Sequence, residues 1–183
     1  SSLLMALERV SNMVLGYDSE QVDALLDRVR RQYEKPKSRF ITPAMLASVE
    51  FDLAPGGYRI DQTDAALAEV AIEFEHRELK ARLERIGTKR FRAETRSLIG
   101  TIVKVLSQDE KKQFSPARNG YHPKRVREIL RKLGVQEGLL SAPSPSELKT
   151  APLGRKNGGP ARFEVNEFLG IVVSVIQRQE LVR

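Results

Sequence analysis

The chain has 183 residues, of which 40% are hydrophobic and 6% are aromatic, and it carries a formal net charge of +7. It contains no cysteine, which excludes disulfides, thiol catalysis and cysteine-bound metals and agrees with a reducing compartment. No apolar run approaches the ~20 residues that span a bilayer as a helix. The sequence therefore predicts one domain or two small ones, located in the cytoplasm.

A short frame of residues recurs four times along the chain. Each copy opens with Gly, usually followed by Tyr, and continues with Val or Thr, then Asp or a substitute for it, and then Leu. The copies are Gly16-Tyr17 with Val22-Asp23 and Leu26; Gly57-Tyr58 with Thr63-Asp64 and Leu67; Gly120-Tyr121 with Val126-Arg127 and Leu130; and Gly159-Pro160 with Val165-Asn166 and Leu169. An apolar residue also precedes each Gly by six positions, at Val10, Phe51, Phe114 and Leu153. Such recurrence indicates small units that pack on one another.

Each copy predicts a short helix, an extended stretch, a turn and a longer helix. Thr42-Pro43 and Ser144-Pro145 combine the capping residue and the proline that begin helices, and the first of these helices is predicted over residues 42–48. Residues 51–53 are predicted to be extended, and Pro55-Gly56-Gly57 to turn the chain. The longer helix has apolar residues at helical spacing, in copy one Val22, Leu25, Leu26 and Val29.

The start of the longer helix differs between copies. In copy one, Asp18 and Gln21 predict a capping box, in which each residue bonds the backbone N–H of the other. In copy three, His122-Pro123 takes this place, with proline at the first helical position. Both patterns predict that the helix begins two or three residues after the Gly.

The predicted fold class is mainly α, with tandem helical repeats and short extended or β-hairpin segments before each Gly-Tyr turn. A longer helix follows copy two, Gly87-Thr88 ends it, and another is predicted over 96–106. The apolar run 168–176 predicts a buried helix. Copies one and two are 41 residues apart and copies three and four are 39 apart, whereas 63 residues separate copies two and three. This spacing indicates two similar halves, 1–87 and 88–183, in a pseudo-twofold arrangement, with a single compact domain as the alternative.

Charge separates the two halves. Residues 1–87 carry a net charge of −3 and residues 88–183 a net charge of +10. The second half contains a candidate patch for an anion or an acidic partner, formed by Lys89, Arg90, Arg92, Arg96, Lys124, Arg125, Arg127, Arg131 and Lys132. A positive electrostatic field of this kind attracts nucleic acid, anionic lipid or an acidic protein. The alternative interpretation is that these residues form a solvent-exposed helix face that binds nothing. The asymmetry also permits self-association between unlike halves of two molecules.

No catalytic, cofactor or metal site is predicted. His76 lies within a helix near Glu73 and Glu75, but one histidine with scattered acids makes a poor metal site. His122 lies in the turn before Pro123, where a capping or turn role is the favoured interpretation. Gly56-Gly57 and Gly158-Gly159 are not followed by the Lys and Ser or Thr of a phosphate loop. The sequence therefore predicts a protein that is not an enzyme.

The tyrosines of the frame have two readings. Tyr17, Tyr58 and Tyr121 form a column of a residue type that is enriched in binding hot spots. The same column predicts a structural plug between each turn and the next helix, and the plug is the favoured interpretation.

The frame resembles the DivIVA-type domain, the N-terminal module of a family of bacterial cell-division and polar-growth scaffolds. The resemblance rests on Thr-Pro, a Phe nine residues later, Gly-Tyr six residues after that, and then Val-Asp-x-x-Leu. It is carried by the segments 16–27 and 42–67, that is, by copies one and two. Tandem copies resemble the DivIVA-domain repeat proteins of actinobacteria.

The resemblance implies a non-enzymatic scaffold or protein-interaction module of cell division or polar growth. It implies division or envelope-growth proteins as partners and a place at poles, septa or the inner face of the membrane. The family carries exposed apolar and basic residues just before Gly-Tyr that insert into the membrane, and here Val14 and Leu15 are the candidate membrane contact. Three functions are left open: a protein scaffold, a nucleic-acid-binding protein that uses residues 89–132, and a peripheral membrane protein.

Overall fold

A computed structural model describes residues 7–183 of the protein. Within this range the chain forms eight helices and six short strands, so the predicted mainly α class is confirmed. The helices are α1 Ser19–Glu34, α2 Pro43–Ala47, α3 Ile60–Ile86, α4 Thr88–Leu106, α5 Glu110–Gln113, α6 Pro123–Arg131, α7 Pro145–Thr150 and α8 Arg162–Leu181. The strands are β1 Leu15–Tyr17, β2 Leu53–Pro55, β3 Pro116–Ala117, β4 Gly134–Gln136, β5 Leu139–Ser141 and β6 Gly159–Pro160.

The helix starts lie where the capping residues predict them. The Thr42 side chain accepts a hydrogen bond from the Met45 N–H at 3.2 Å, and the Ser144 side chain accepts one from the Glu147 N–H at 3.1 Å. His122 caps α6 through Nδ1, which accepts from the N–H of a residue in the first turn. In each of these helices proline follows the cap, where its missing N–H costs no intrahelical bond.

The predicted capping box of α1 is only half formed. Asp18 accepts from the Gln21 N–H at 3.1 Å, as predicted. The Gln21 side chain does not return to Asp18, because it bonds Asp52 instead: its Nε2 donates to the Asp52 carboxylate and its Oε1 accepts from the Asp52 N–H, both at 2.8 Å. The side chain that would close the box therefore joins copy one to copy two.

The extended segments before the Gly-Tyr turns do not form hairpins of their own. β1 of copy one pairs antiparallel with β2 of copy two, with Leu15 opposite Pro55 and Tyr17 opposite Leu53. β3 pairs in the same antiparallel sense with β6. The one hairpin among residues 7–183 joins β4 to β5 after α6, and its turn contains Glu137 and Gly138 at positive φ.

The chain divides into two compact units, the first ending at Glu75 and the second running from His76 to Arg183. The division falls within α3. The first unit has a core formed by Leu25, Val29, Ile41, Leu46, Val70, Ala71 and Phe74. The core of the second unit is largely aliphatic and centres on α8, where Phe168, Leu169, Val172, Val173 and Val175 are buried. The predicted buried helix over 168–176 is therefore confirmed.

No helix within residues 7–183 is both long enough and apolar enough to cross a membrane.

A buried arginine organises part of the second unit. The Arg178 side chain is only 9% exposed, and its guanidinium lies 4.7 Å from the centre of the Phe91 ring. It donates to Glu94 at 3.3 Å. Arg82 bonds the same carboxylate with both Nε and Nη2. These bonds, led by those from Arg82, lower the pKa of Glu94 from its usual 4.5 to about 2.

We expect Glu94→Gln to lower the free energy of unfolding by about 1–2 kcal/mol at neutral pH. This is less than the full value of hydrogen bonds to a charged group, because the Glu94 carboxylate is partly exposed and solvent weakens its ion pairs. Because the folded pKa is depressed, the contribution of Glu94 is present above 4.5 and is lost as the pH falls toward 2. Urea unfolding at neutral pH and at about pH 3 measures this, with Glu180→Gln on exposed α8 surface as the control. A difference between wild type and Glu94→Gln that does not shrink on acidification would contradict the assignment.

Candidate functional site

Two Gly-Tyr segments cross in the first unit. The backbones of Tyr17 and Tyr58 exchange two hydrogen bonds, each N–H donating to the carbonyl of the other at 2.9 Å. Gly16 and Gly57 are buried at this crossing. A Cβ on Gly16 would overlap the Tyr58 carbonyl oxygen, and a Cβ on Gly57 would overlap that of Tyr17. The glycines of the frame are therefore required for close backbone approach.

The tyrosine side chains make the same exchange. The Tyr17 hydroxyl donates to Asp64 Oδ1 at 2.7 Å, and the Tyr58 hydroxyl donates to Asp23 Oδ1 at 2.6 Å. The Tyr17 ring also packs on Phe51, with 5.1 Å between ring centres. Each tyrosine thus bonds the aspartate of the other copy, so the column acts as a plug that joins two copies.

Burial and these bonds shift the titration of the groups. Burial, followed by the bond to Asp64, raises the pKa of Tyr17 well above its usual value. The bond to Asp23 is the main cause that raises the pKa of Tyr58. Burial also raises the pKa of Asp64. In both bonds the protonated phenol is the donor and a carboxylate is the acceptor, and the raised pKa values favour that state.

The second unit contains the same crossing with half of its side-chain bonds. The Tyr121 N–H donates to the Pro160 carbonyl at 2.8 Å, and a Cβ on Gly120 or Gly159 would overlap the backbone of the other segment. The Tyr121 hydroxyl donates to Asn166 Oδ1 at 2.7 Å, where Asn166 takes the place of the aspartate.

The opposite tyrosine–aspartate bond is missing from the second unit. Pro160 stands where copy two has Tyr58, and it has neither a hydroxyl nor a backbone N–H to donate. Arg127 stands where copy one has Asp23, and its guanidinium pairs with Glu110 at 2.5 Å. The sequence shows two unrelated departures in two copies, whereas the structure places both at the same side of one crossing.

A cleft of about 720 Å³ lies where that bond is missing, and both Arg127 and Pro160 line it. Its walls combine apolar side chains with cations, among them Phe114, Val126, Leu130, Lys111 and Arg131. This volume is in the range of sites that hold small ligands or side chains. The frame did not predict the cleft, because its lining comes from five segments between residues 106 and 160.

The candidate basic patch is mostly exposed. Eight of its nine residues lie at the surface, namely Lys89, Arg90, Arg92, Arg96, Lys124, Arg125, Arg131 and Lys132. Arg127 is half-buried in its ion pair, and Arg92 donates to the Val182 carbonyl at 2.9 Å. One cation of the patch, Arg127, is thus committed to an ion pair, and two of its cations, Arg127 and Arg131, line the cleft.

The two residues of the candidate membrane contact are exposed, and further exposed apolar residues lie beside them. Val14 is 51% exposed and Leu15 is 55% exposed. Met13 at 93% and Leu53 at 53% extend this surface. Leu15 and Leu53 share one face of the β1–β2 pair, since each opposes a residue two positions from the other. We name Met13, Val14, Leu15 and Leu53 the apolar edge.

The described residues offer no metal centre, since no group of three or more His, Asp or Glu side chains within 7–183 could hold an ion. His76 lies exposed in α3, and His122 caps α6. Comparison of the chain with protein-family models, curated proteins and solved structures finds no match. The described residues thus present three candidate contact surfaces: the apolar edge, the basic patch and the amphipathic cleft.

The crossing predicts opposite effects for two glycine-to-alanine substitutions. Gly16→Ala should lower the free energy of unfolding by about 3 kcal/mol, near the upper end for overpacking, because the added methyl meets backbone. Gly100→Ala should raise it by about 0.5–1 kcal/mol, because Gly100 lies within α4 with nothing near its Cβ position. Urea unfolding compares the two proteins, and equal effects would refute the steric requirement at the crossing.

Proposed function

We propose that the protein is a non-enzymatic interaction module that binds other proteins and serves as a scaffold in bacterial cell division or polar growth. The observation that supports this most strongly is the apolar edge. Four large apolar side chains stand more than half exposed on or beside one short strand pair. Exposed apolar groups that cluster in this way mark interaction surfaces.

Charge favours a protein over a membrane as the partner of this edge. The first unit, residues 1–75, carries a net charge of −5, whereas the second unit, residues 76–183, carries +12. An acidic unit is repelled by an anionic lipid surface, which attracts basic segments. A protein with an apolar anchor and a basic surround complements the first unit better, and a second copy of this chain supplies a basic unit of its own.

The position of the edge also fits a scaffold. The crossing ties down one end of the β1–β2 pair, since Tyr17 of β1 bonds the backbone of Tyr58 and the tyrosine–aspartate bonds join the two copies again. A preorganised surface loses less conformational entropy on binding than a flexible loop. The frame residues thus support binding indirectly, by fixing the strands that carry Leu15 and Leu53.

The test is the joint substitution Val14→Ser and Leu15→Ser. Both side chains are exposed, so we expect an unchanged unfolding midpoint but at least a tenfold loss of partner capture, the weight of about 1.4 kcal/mol at a binding hot spot. Capture from native lysate, quantified by mass spectrometry, measures the loss. Leu139→Ser, at a 62% exposed leucine of β5, is the matched control.

The outcome separates protein from lipid. Capture of division or envelope-growth proteins by wild type and by Leu139→Ser, but not by the double variant, supports the proposal. Identical capture by all three proteins would overturn it. Sedimentation with anionic vesicles that only the double variant lacks would move the function to peripheral membrane binding.

A nucleic-acid-binding function is the second candidate, favoured by α4. Lys89, Arg92 and Arg96 are exposed and recur at three- and four-residue spacing, which places them on one face of the helix. If they bind phosphates, Lys89→Glu with Arg96→Glu should weaken duplex DNA binding and reduce the slope of log affinity against log salt by about 2. Anisotropy titrations over a range of salt test this, with Lys149→Glu on exposed α7 surface as the control. DNA binding that both charge reversals leave unchanged would exclude α4 as the contact.

A further inference from the structure

The cleft of the second unit lies where the first unit has an aromatic side chain. In the first crossing Tyr58 exchanges backbone bonds with Tyr17 and places its hydroxyl on Asp23. In the second crossing Pro160 holds the equivalent backbone position beside Tyr121. Pro160 has no aromatic ring to fill the space that Tyr58 fills in the first unit, and the cleft opens beside Pro160. The first unit is therefore an internal template for what the cleft has room to accept.

The walls of the cleft suit an aromatic ring. Phe114, Val126 and Leu130 are among its lining residues, and Phe114 is itself held edge-on against Phe168, with 5.8 Å between ring centres. Val126 and Leu130 are buried on the inner face of α6. Aromatic pairs gain energy beyond area burial when their rings meet edge to face or offset. A ring entering beside Pro160 would find such a wall.

The charge at the cleft is opposite to the charge at the equivalent place in the first unit. Where Tyr58 meets the Asp23 carboxylate, the cleft has Arg127, and its rim adds Lys111 and Arg131. Glu110 neutralises Arg127. Within residues 7–183, Lys111 and Arg131 have no ion-pair partner, and both are exposed. The cleft therefore offers cations at its opening and apolar groups within.

We propose that this cleft binds a peptide segment of a partner protein in which an aromatic residue is flanked by acidic residues. The ring occupies the space beside Pro160, and the flanking carboxylates pair with Lys111 and Arg131. This inference rests on the proposed function in one respect, that the partner is a protein. It adds a second contact, distinct from the apolar edge, and assigns the chemistry that it recognises.

The direct test uses a synthetic acetylated and amidated peptide, Glu-Asp-Tyr-Asp-Glu, and follows backbone amide chemical shifts of the full chain at one fixed salt concentration. We expect shifts at Phe114, Arg127 and Arg131, and an affinity at least about tenfold lower when Ala replaces the Tyr of the peptide. Arg131→Glu should weaken binding by a similar factor. Lys149→Glu, an exposed lysine of α7 outside both the cleft and the basic patch, is the matched control and should bind as wild type does.

Each other result counts against the inference. Equal binding of the Tyr and Ala peptides, or equal loss in Lys149→Glu and Arg131→Glu, would reduce the interaction to net charge and overturn the assignment of the cleft. Failure of the wild-type chain to bind the peptide would overturn it as well. Partner capture that still depends on Val14 and Leu15 would then leave the proposed function standing, so the two failures are distinguishable.

A second test refills the cleft from within. Pro160→Tyr restores a phenol and a backbone N–H, and Arg127→Asp restores the acceptor that the first unit has at Asp23. We expect the double variant to fold and to lose peptide binding by at least about tenfold, since its own ring takes the place of the ligand. A double-mutant cycle compares the unfolding midpoints of wild type, both single variants and the double variant. It isolates the coupling between Tyr and Asp from the separate effect of leaving Glu110 unpaired. Positive coupling with lost binding supports the inference, and a folded double variant that binds the peptide as wild type does would refute it.

Discussion

The structure depends on one steric constraint, that two backbones must pass each other too closely for any side chain. At both crossings a glycine of one copy faces the backbone of another, and the carbonyl and N–H groups bond across the gap. The glycine, the tyrosine and the aspartate of the frame each serve this approach. Glycine permits it, the tyrosine beside it reaches past the partner strand, and in the first unit the aspartate one turn into the helix of the other copy accepts the hydroxyl. A helical repeat is thereby joined by strands of only two or three residues.

The two crossings show what the constraint does and does not fix. Both keep the glycines, because backbone overlap cannot be relieved by rotating a side chain. The tyrosine–aspartate bonds are less rigidly required: the second unit keeps one, with asparagine as acceptor, and lacks the other. A net hydrogen bond contributes only about 1 kcal/mol, which is a small loss beside the extensive burial around α8 in the second unit. The surface beside Pro160 and Arg127, where the bond is missing, is therefore available to a ligand.

Local features were predictable from the sequence and partnerships were not. Thr42, Ser144 and His122 cap helices through neighbours two or three residues away, so the sequence alone locates those helix starts. The frame suggests nothing about the pairing of Tyr17 with Asp64 across 47 residues, since Asp23 is nearer in sequence. The cleft was beyond reach for the same reason, because Arg127 and Pro160 are separate departures until the crossing brings them together. Exposure of Met13 and Leu53 likewise depends on what packs beneath them.

The crossing also determines how such an array can grow. Each copy completes its partner, so a solitary Gly-Tyr segment would leave bare backbone donors and acceptors along an open strand edge, the feature that drives chains to pair with other molecules. The unit that can be duplicated as a whole is therefore a pair of copies. Duplication in pairs keeps each segment bonded to its partner strand, whereas loss of one member would leave a segment able to pair with a neighbouring molecule.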